Sequence, residues 1–244
     1  VSAVVVLPAM SRGQRDGWCA LLDLHDVMST GWTLVGGQMV HLWCAERGVA
    51  PARPTDDLDA VLDVRANPAA LMEFTTALTG MGFAPDGETW NGHQHRWVRD
   101  EAQIDVLIPR WLGARAANGK GAGGRTTLET PGAQQALDRT EEIAVDVGGR
   151  LGIVRRPSLL GALVAKDAAH TVVLDKARRR HLTDFLVLTT MIEPQDRLED
   201  ASARDRTYLE SMLGALVRDG RAVASVEGAA TGVSTLRLAL GLED

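Results

Sequence analysis

Phenylalanine and tyrosine are scarce in this chain of 244 residues, three and one respectively. That scarcity argues against a sheet-borne aromatic platform of the kind that stacks RNA bases. Cysteine is scarcer than any disulfide framework or zinc site requires. Cys19 and Cys44 stand alone within the apolar runs Trp18-Cys19-Ala20-Leu21 and Leu42-Trp43-Cys44-Ala45, which reads as packing. No apolar run approaches membrane length: Val4 to Leu7 is the longest near the start, and no basic segment of the secretory type precedes it. A soluble, cytoplasmic protein with no membrane partner is expected. An excess of positive charge is also missing. The net charge of −6 argues against a protein that coats nucleic acid non-specifically, while leaving room for a local basic patch.

What remains is an ordinary globular composition, 45% hydrophobic and 24% charged, in which disorder, collagen and coiled coil are poor readings. Val1 to Met10 reads as an extension outside the fold, with Met10 a candidate start. A helical pattern runs from Gln14 to Met28, and Trp32 to Val35 reads as a short buried strand. Gly36-Gly37 then turns into a helix from about Gln38 to Arg47, with Gly48 ending it. Asp57 to Val64 alternates as a strand, with Leu58, Ala60, Leu62 and Val64 on one face. Pro68 opens a helix to about Leu78. His93 to Arg99 and Gln103 to Ile108 form two strands around a turn at Asp100-Glu101, and residues 118–124 form a glycine-rich loop. A hairpin from Ile143 to Val154 precedes helices at Ser158–Ala169, Arg178–Met191, Ala203–Val217 and Val233–Leu240. The expected fold is α+β, a mixed sheet with flanking helices over residues 1–155, followed by a helical C-terminal domain over 156–244.

The chemistry gathers around Leu34-Val35-Gly36-Gly37 and Asp57-Leu58-Asp59, nineteen residues further on. Asp57 and Asp59 leave the same face of a strand about 7 Å apart. Carboxylates at that spacing suit a divalent metal such as Mg²⁺, a hard cation satisfied by carboxylates, water and substrate phosphates. Asp105, within Gln103-Ile104-Asp105-Val106-Leu107-Ile108, is the natural third acid of a two-metal phosphoryl-transfer site. Gly36 and Gly37 sit between a strand and a helix N-terminus, where backbone N–H groups can approach phosphates. Taken singly, a Gly-Gly pair is usually a turn and an Asp-x-Asp a solvated strand end. His93 and His95 share a strand face but lack a third metal ligand.

These residues resemble the polymerase-beta-type nucleotidyltransferase superfamily, and within it the abortive-infection toxin branch, AbiEii-like and MenT. The likeness lies in the Gly-Gly pair, in Arg53-Pro54-Thr55-Asp56-Asp57-Leu58-Asp59, in Lys166 of Leu163-Val164-Ala165-Lys166-Asp167, and in Asp184 of Arg180-His181-Leu182-Thr183-Asp184. It covers roughly residues 30 to 190. The gap between the glycines and the first acid is longer than in polymerase-beta enzymes generally, which suits the toxin branch better than small antibiotic-modifying transferases.

The resemblance implies an NTP-dependent, pyrophosphate-releasing transferase using Mg²⁺ or Mn²⁺. In it Asp57, Asp59 and Asp105 would hold metal, with Asp105 also a candidate base. Gly36, Gly37, Arg53, Thr55 and Lys166 would bind the nucleotide, and Asp184 would orient Lys166 or bind base or ribose. The acceptor would be the tRNA 3′ end, the biological role that of a toxin, and the partner a cognate antitoxin. Lys176, Arg178, Arg179 and Arg180 form the strongest basic cluster, a solvated face or a hold on the RNA backbone. The alternatives are a transferase acting on a small aminoglycoside-like molecule, which would need an acidic cleft, and a silent nucleotide-binding relative.

Overall fold

The computed structural model describes residues 3–172 and 178–242. The chain runs through β1 (Val5–Val6), α1 (Arg12–Val27), β2 (Trp32–Val35), α2 (Gly36–Arg47), β3 (Leu58–Leu62), α3 (Ala70–Gly80), β4 (Ala84–Pro85), β5 (Arg96–Arg99) and β6 (Ala102–Pro109). It continues through α4 (Ala114–Ala117), β7 (Leu128–Thr130), α5 (Ala133–Asp138), β8 (Thr140–Val147) and β9 (Arg150–Pro157). Helices α6 (Leu159–His170), α7 (Arg179–Thr189), α8 (Ala203–Arg218), α9 (Gly220–Ala224) and α10 (Ala229–Ala239) complete it. The fold is α+β, as the sequence pattern implies.

Six strands form a mixed sheet in the order β2-β3-β6-β5-β4, with β7 paired to the far half of β6. β3 lies parallel to β6 and antiparallel to β2. The alternation in β3 has the expected effect on one face: Leu58, Ala60 and Leu62 are fully buried in the main core with Trp18 and Leu21 of α1 and Phe74 of α3. On the opposite face Val61 is buried as well, under Ala133 and Ala136 of α5 and beside Val35, with Ala165 of α6 packed alongside. α5 and α6 therefore roof the distal half of the acidic face and leave its near half as a cleft.

Three further differences from the sequence reading have local causes. Val5 and Val6 add a parallel strand to β8, so residues within the first ten belong to the fold. α1 begins at Arg12 because Ser11 and Gln14 close a reciprocal capping box. β4, β7, α4 and α5 are too short to show a period of their own.

α1 lies so close to the β5–β6 turn that a Cβ on Gly13 would overlap the Glu101 carbonyl, whereas Gly80, in the last turn of α3, has open space around it. Gly13→Ala should therefore cost about 1–3 kcal/mol. Gly80→Ala should be neutral or stabilising by up to about 1 kcal/mol. Urea unfolding of the two variants beside wild type checks the contrast.

Candidate active site

One row across the sheet builds the site. Val35 of β2 pairs with Asp59 of β3, Asp59 with Asp105 of β6, and Asp105 with Arg96 of β5. Neighbouring strands are about 4.8 Å apart, so acids in register must crowd one another. Asp57, just before β3, joins them, and one carboxylate oxygen from each of the three lies within 4.8 Å of the others. An all-oxygen donor set of this kind could hold a hard divalent cation such as Mg²⁺ or Mn²⁺.

The electrostatics follow from the crowding. Burial, then the charges of Asp57 and Asp105, push the Asp59 carboxyl up to about 7, against the opposing pull of Lys166 and Arg180. Asp105 is gripped by Arg96, whose Nε and Nη2 each donate to it at 3.1 Å in a forked pair. His95 Nε2 stands 3.9 Å from Asp105, and burial, helped by Arg96 and His93, keeps its ring below the ordinary histidine value.

Gly36 and Gly37 lie where α2 begins, beside the acids. Gly36 has φ +70°, and a Cβ there would overlap Asp59 Oδ2; a Cβ on Gly37 would come within 2.6 Å of Thr55 Oγ1. The pair thus gives room to Asp59 and Thr55 as well as leaving the first turn of α2 open, with no side chain capping its N–H groups. Thr55 donates to Asp57 Oδ1 at 2.8 Å, and its carbonyl accepts from Gln14 Nε2 and Gln38 Nε2, both at 2.7 Å. His41 Nε2 lies 2.9 Å from the Arg53 carbonyl. Side chains of α1 and α2 therefore pin the whole segment that presents Asp57.

Across the cleft, Lys166 of α6 is 2% exposed and donates to Asp184 of α7 at 2.7 Å. Arg53 grips the same carboxylate with Nε at 2.8 Å and Nη2 at 2.7 Å. Burial raises Asp184, but Lys166 and Arg53 outweigh it and hold the carboxyl below its ordinary value. Burial draws the Lys166 ammonium down, with Asp184 opposing. Both oxygens of Asp184 are thereby engaged in positioning cations. Asp167, the next residue, is buried elsewhere, and burial pushes its carboxyl up to about 8.

These residues line a cavity of about 370 Å³ that holds Gly36, Gly37, Arg53, Thr55, Asp57, Asp59, Asp105 and Lys166 together. Arg96, Arg110, Arg180 and Glu129 line it too. Of the basic cluster, Arg180 reaches this cavity, Arg179 pairs with Asp219 at 3.2 Å, Arg178 is exposed, and Lys176 lies outside the described residues. A larger cavity of about 810 Å³ lies by the β8–β9 hairpin and the end of α2, but its arginines are matched by acids. Arg156, stacked on Trp43, meets Glu46 and Glu141; Arg47 meets Glu193 and Asp196.

Sequence reasoning passed over Arg96, Gln14 and Gln38. The first was within reach, because a two-residue turn at Asp100-Glu101 pairs residue 96 with 105 by counting outward.

No protein-family model matches the chain, and no curated protein matches it. Among solved structures, the chain is similar to an antigenic nucleotidyltransferase-like protein from Paracoccidioides brasiliensis, at TM-score 0.50 and 13% identity over 88% of this chain and 94% of that one. The fold is nucleotidyltransferase-like. Two structures of the antibiotic-resistance factor ANT(2″)-Ia also align. The solution structure does so at TM-score 0.47 and 14% identity over 87% of this chain and 97% of its own. The complex with adenylyl-2″-tobramycin does so at TM-score 0.46 and 14% identity over 82% and 97%. Among the described residues no helix is long and apolar enough to cross a membrane.

Two outcomes test this reading of the site's electrostatics. A carboxyl raised to about 7 in the fold binds its proton more tightly there than in the unfolded chain, so its stabilising effect is lost as pH rises from about 4 to about 7. A cation held by the ionised acids should act in the opposite sense. The melting-temperature gain from Mg²⁺ should grow between about pH 5 and about pH 8, and Asp59→Asn should flatten that growth in a thermal-shift series. Separately, Asp184→Ala strands Lys166 in a buried position and should cost about 3–5 kcal/mol in chemical denaturation.

Proposed function

We propose that this chain is a nucleotidyltransferase that moves a nucleotide from an NTP to a hydroxyl of an RNA acceptor, with release of pyrophosphate. The observation that carries the reading is the convergence of Asp57, Asp59 and Asp105 opposite a buried Lys166 fixed by Asp184. Mg²⁺ or Mn²⁺ held by the three acids would neutralise the triphosphate and make the acceptor hydroxyl more acidic. Lys166 is a point charge suited to a phosphate oxygen, and Arg53, held by Asp184, lines the same wall. The open N-terminus of α2 offers N–H groups and the positive end of its dipole to the same anion.

In this reaction the acceptor oxygen forms a bond to the α-phosphorus while the bond from that phosphorus to the pyrophosphate oxygen breaks. The hydroxyl proton passes to Asp105, which Arg96 holds in place. Asp184 touches no substrate in this scheme and serves as a positioning residue.

With a divalent cation on the three acids, the cleft's charge would favour an anionic acceptor. Arg53, Arg96, Arg110, Lys166 and Arg180 line it, against Asp57, Asp59, Asp105 and Glu129. A cationic aminoglycoside-like acceptor would call for an acidic excess. The narrower reading, a toxin that modifies the tRNA 3′ end and is restrained by a cognate antitoxin, rests on the sequence likeness in Arg53 to Asp59, Lys166 and Asp184.

Incubation with total tRNA, Mg²⁺ and each labelled NTP in turn should place label in RNA with wild type. Asp59→Ala should abolish it, and Lys166→Ala should slow it about 10²-fold. Label in a small hydroxylated molecule and none in RNA would move the acceptor class. Absence of NTP binding in wild type would remove the enzymatic reading.

A further inference from the structure

We propose that Arg65, Arg110, Trp111, Arg204 and Tyr208 form a docking platform for the single-stranded end of the RNA acceptor, beside the catalytic cleft and distinct from the basic cluster of α7. These five residues line a concavity of about 260 Å³. Arg110 and Pro131 line both this concavity and the catalytic cavity, so the two are continuous. The proposal rests on the nucleotidyltransferase reading, whose acceptor it would hold.

The placement follows from the sheet. β3 and β6 are parallel, and Arg65 and Arg110 follow their C-terminal ends on the same side of the sheet. Arg110 extends the ladder, its N–H donating to the Thr130 carbonyl at 3.0 Å. It stands five residues beyond Asp105, about 16 Å along the strand. Arg204 and Tyr208 come from the start of α8, four residues apart and hence on one helical face. The concavity is thus walled by the sheet on one side and by the C-terminal helices on the other.

Three features of the five residues mark a partner and its chemistry. Arg65, Arg110 and Arg204 are exposed, and none has an acidic partner among the described residues. Elsewhere in this chain of net charge −6, arginines such as Arg53, Arg96, Arg139 and Arg156 are matched by carboxylates. Three guanidiniums without a carboxylate partner around one hollow leave it locally positive. Trp111 is 76% exposed at φ +67°, a region bulky side chains rarely adopt. Tyr208 adds a second ring at the wall.

Guanidinium groups around the exposed Trp111 indole, with the half-buried Tyr208 ring at the wall, suit a strand that carries phosphates on its backbone and flat bases on its flank. The extent of the patch bears on the size of the partner. Arg110 lines both hollows, but Arg65, Trp111, Arg204 and Tyr208 line the outer one and not the cleft, so an acceptor that engages both must be extended, as an RNA strand ending at the acids is. The scarcity of Phe and Tyr argued against a sheet-borne stacking platform, and this one is built instead from a loop tryptophan and a helix tyrosine. An acidic protein segment would meet the arginines and leave Trp111 unused, so RNA is the better match.

The test is anisotropy titration of a dye-labelled, unstructured RNA with a free 3′ hydroxyl, run in parallel with binding of a fluorescent NTP analogue. Wild type and Asp59→Ala should bind the RNA equally. Trp111→Ala should weaken it about tenfold. Arg65→Ala with Arg204→Ala should weaken it at least as much and make the slope of log affinity against log salt shallower by about 1.4. All patch variants should bind the NTP analogue like wild type, which also reports that they fold. RNA affinity unchanged in the patch variants would overturn the platform, as would wild type that ignores RNA or binds polyglutamate in its place. Patch-dependent RNA binding without NTP binding would uphold the platform and defeat the catalytic reading instead.

Discussion

The register of β3 against β6 is the constraint on which the site depends. Parallel pairing sets Asp59 beside Asp105, and the approach to β3 brings in Asp57. A slip of one residue would turn Asp59 into the core and Leu58 into the cleft. The buried positions of Leu58, Ala60 and Leu62 therefore hold the acids in place as firmly as any hydrogen bond. Crowding like charges is unfavourable, and the surroundings divide the cost unevenly. Arg96 neutralises Asp105, Thr55 steadies Asp57, and Asp59 is left with a carboxyl raised to about 7. A divalent cation would be a further counter-charge suited to such a trio.

Much of this architecture was legible because period and chemistry coincide in the central strands. Leu58 to Leu62 and Gln103 to Ile108 each alternate an apolar face with an acid, and a two-residue turn fixes the β5–β6 register. Gly36-Gly37 was legible as a strand-to-helix turn, but its reason was not. The overlap with Asp59 Oδ2 and the approach to Thr55 are tertiary facts. Val61 shows the same limit: its place on the acidic face suggests solvent, yet α5 covers it, and a six-residue helix has too few turns to declare an amphipathic period. The arginines around Trp111 follow β3, follow β6 and open α8, far apart in sequence, so only the fold unites them.

Local charge runs against the whole. The chain is acidic overall, while the hollow beside the cleft carries three arginines and no acid, and the cleft itself sets five basic side chains against four acids. Low-dielectric walls focus such a field, and the global charge then lowers non-specific attachment to nucleic acid without weakening attraction at the cleft. In the proposed reaction both substrates are polyanions, and this distribution suits them. The α7 cluster contributes unequally: Arg180 faces the cavity, whereas Arg179 is partly neutralised by Asp219.

The C-terminal helices do more than roof the sheet. Asp184 of α7 accepts hydrogen bonds from Lys166 of α6 and from Arg53, which precedes Asp57 by four residues. One carboxylate thereby ties two helices to the segment that carries the first acid, and Gln14 and Gln38 fix that segment from the opposite side. Rigid-body opening of α6 and α7 away from β3 would strand charges in buried positions, a change of several kcal/mol. Substrate entry in the proposed reaction must therefore use the gap already present between α2, β6 and α7. Held in this way, the lysine, the acids and the α2 N-terminus would keep their mutual distances in the proposed reaction, which is the condition for electrostatic stabilisation to act without reorganisation.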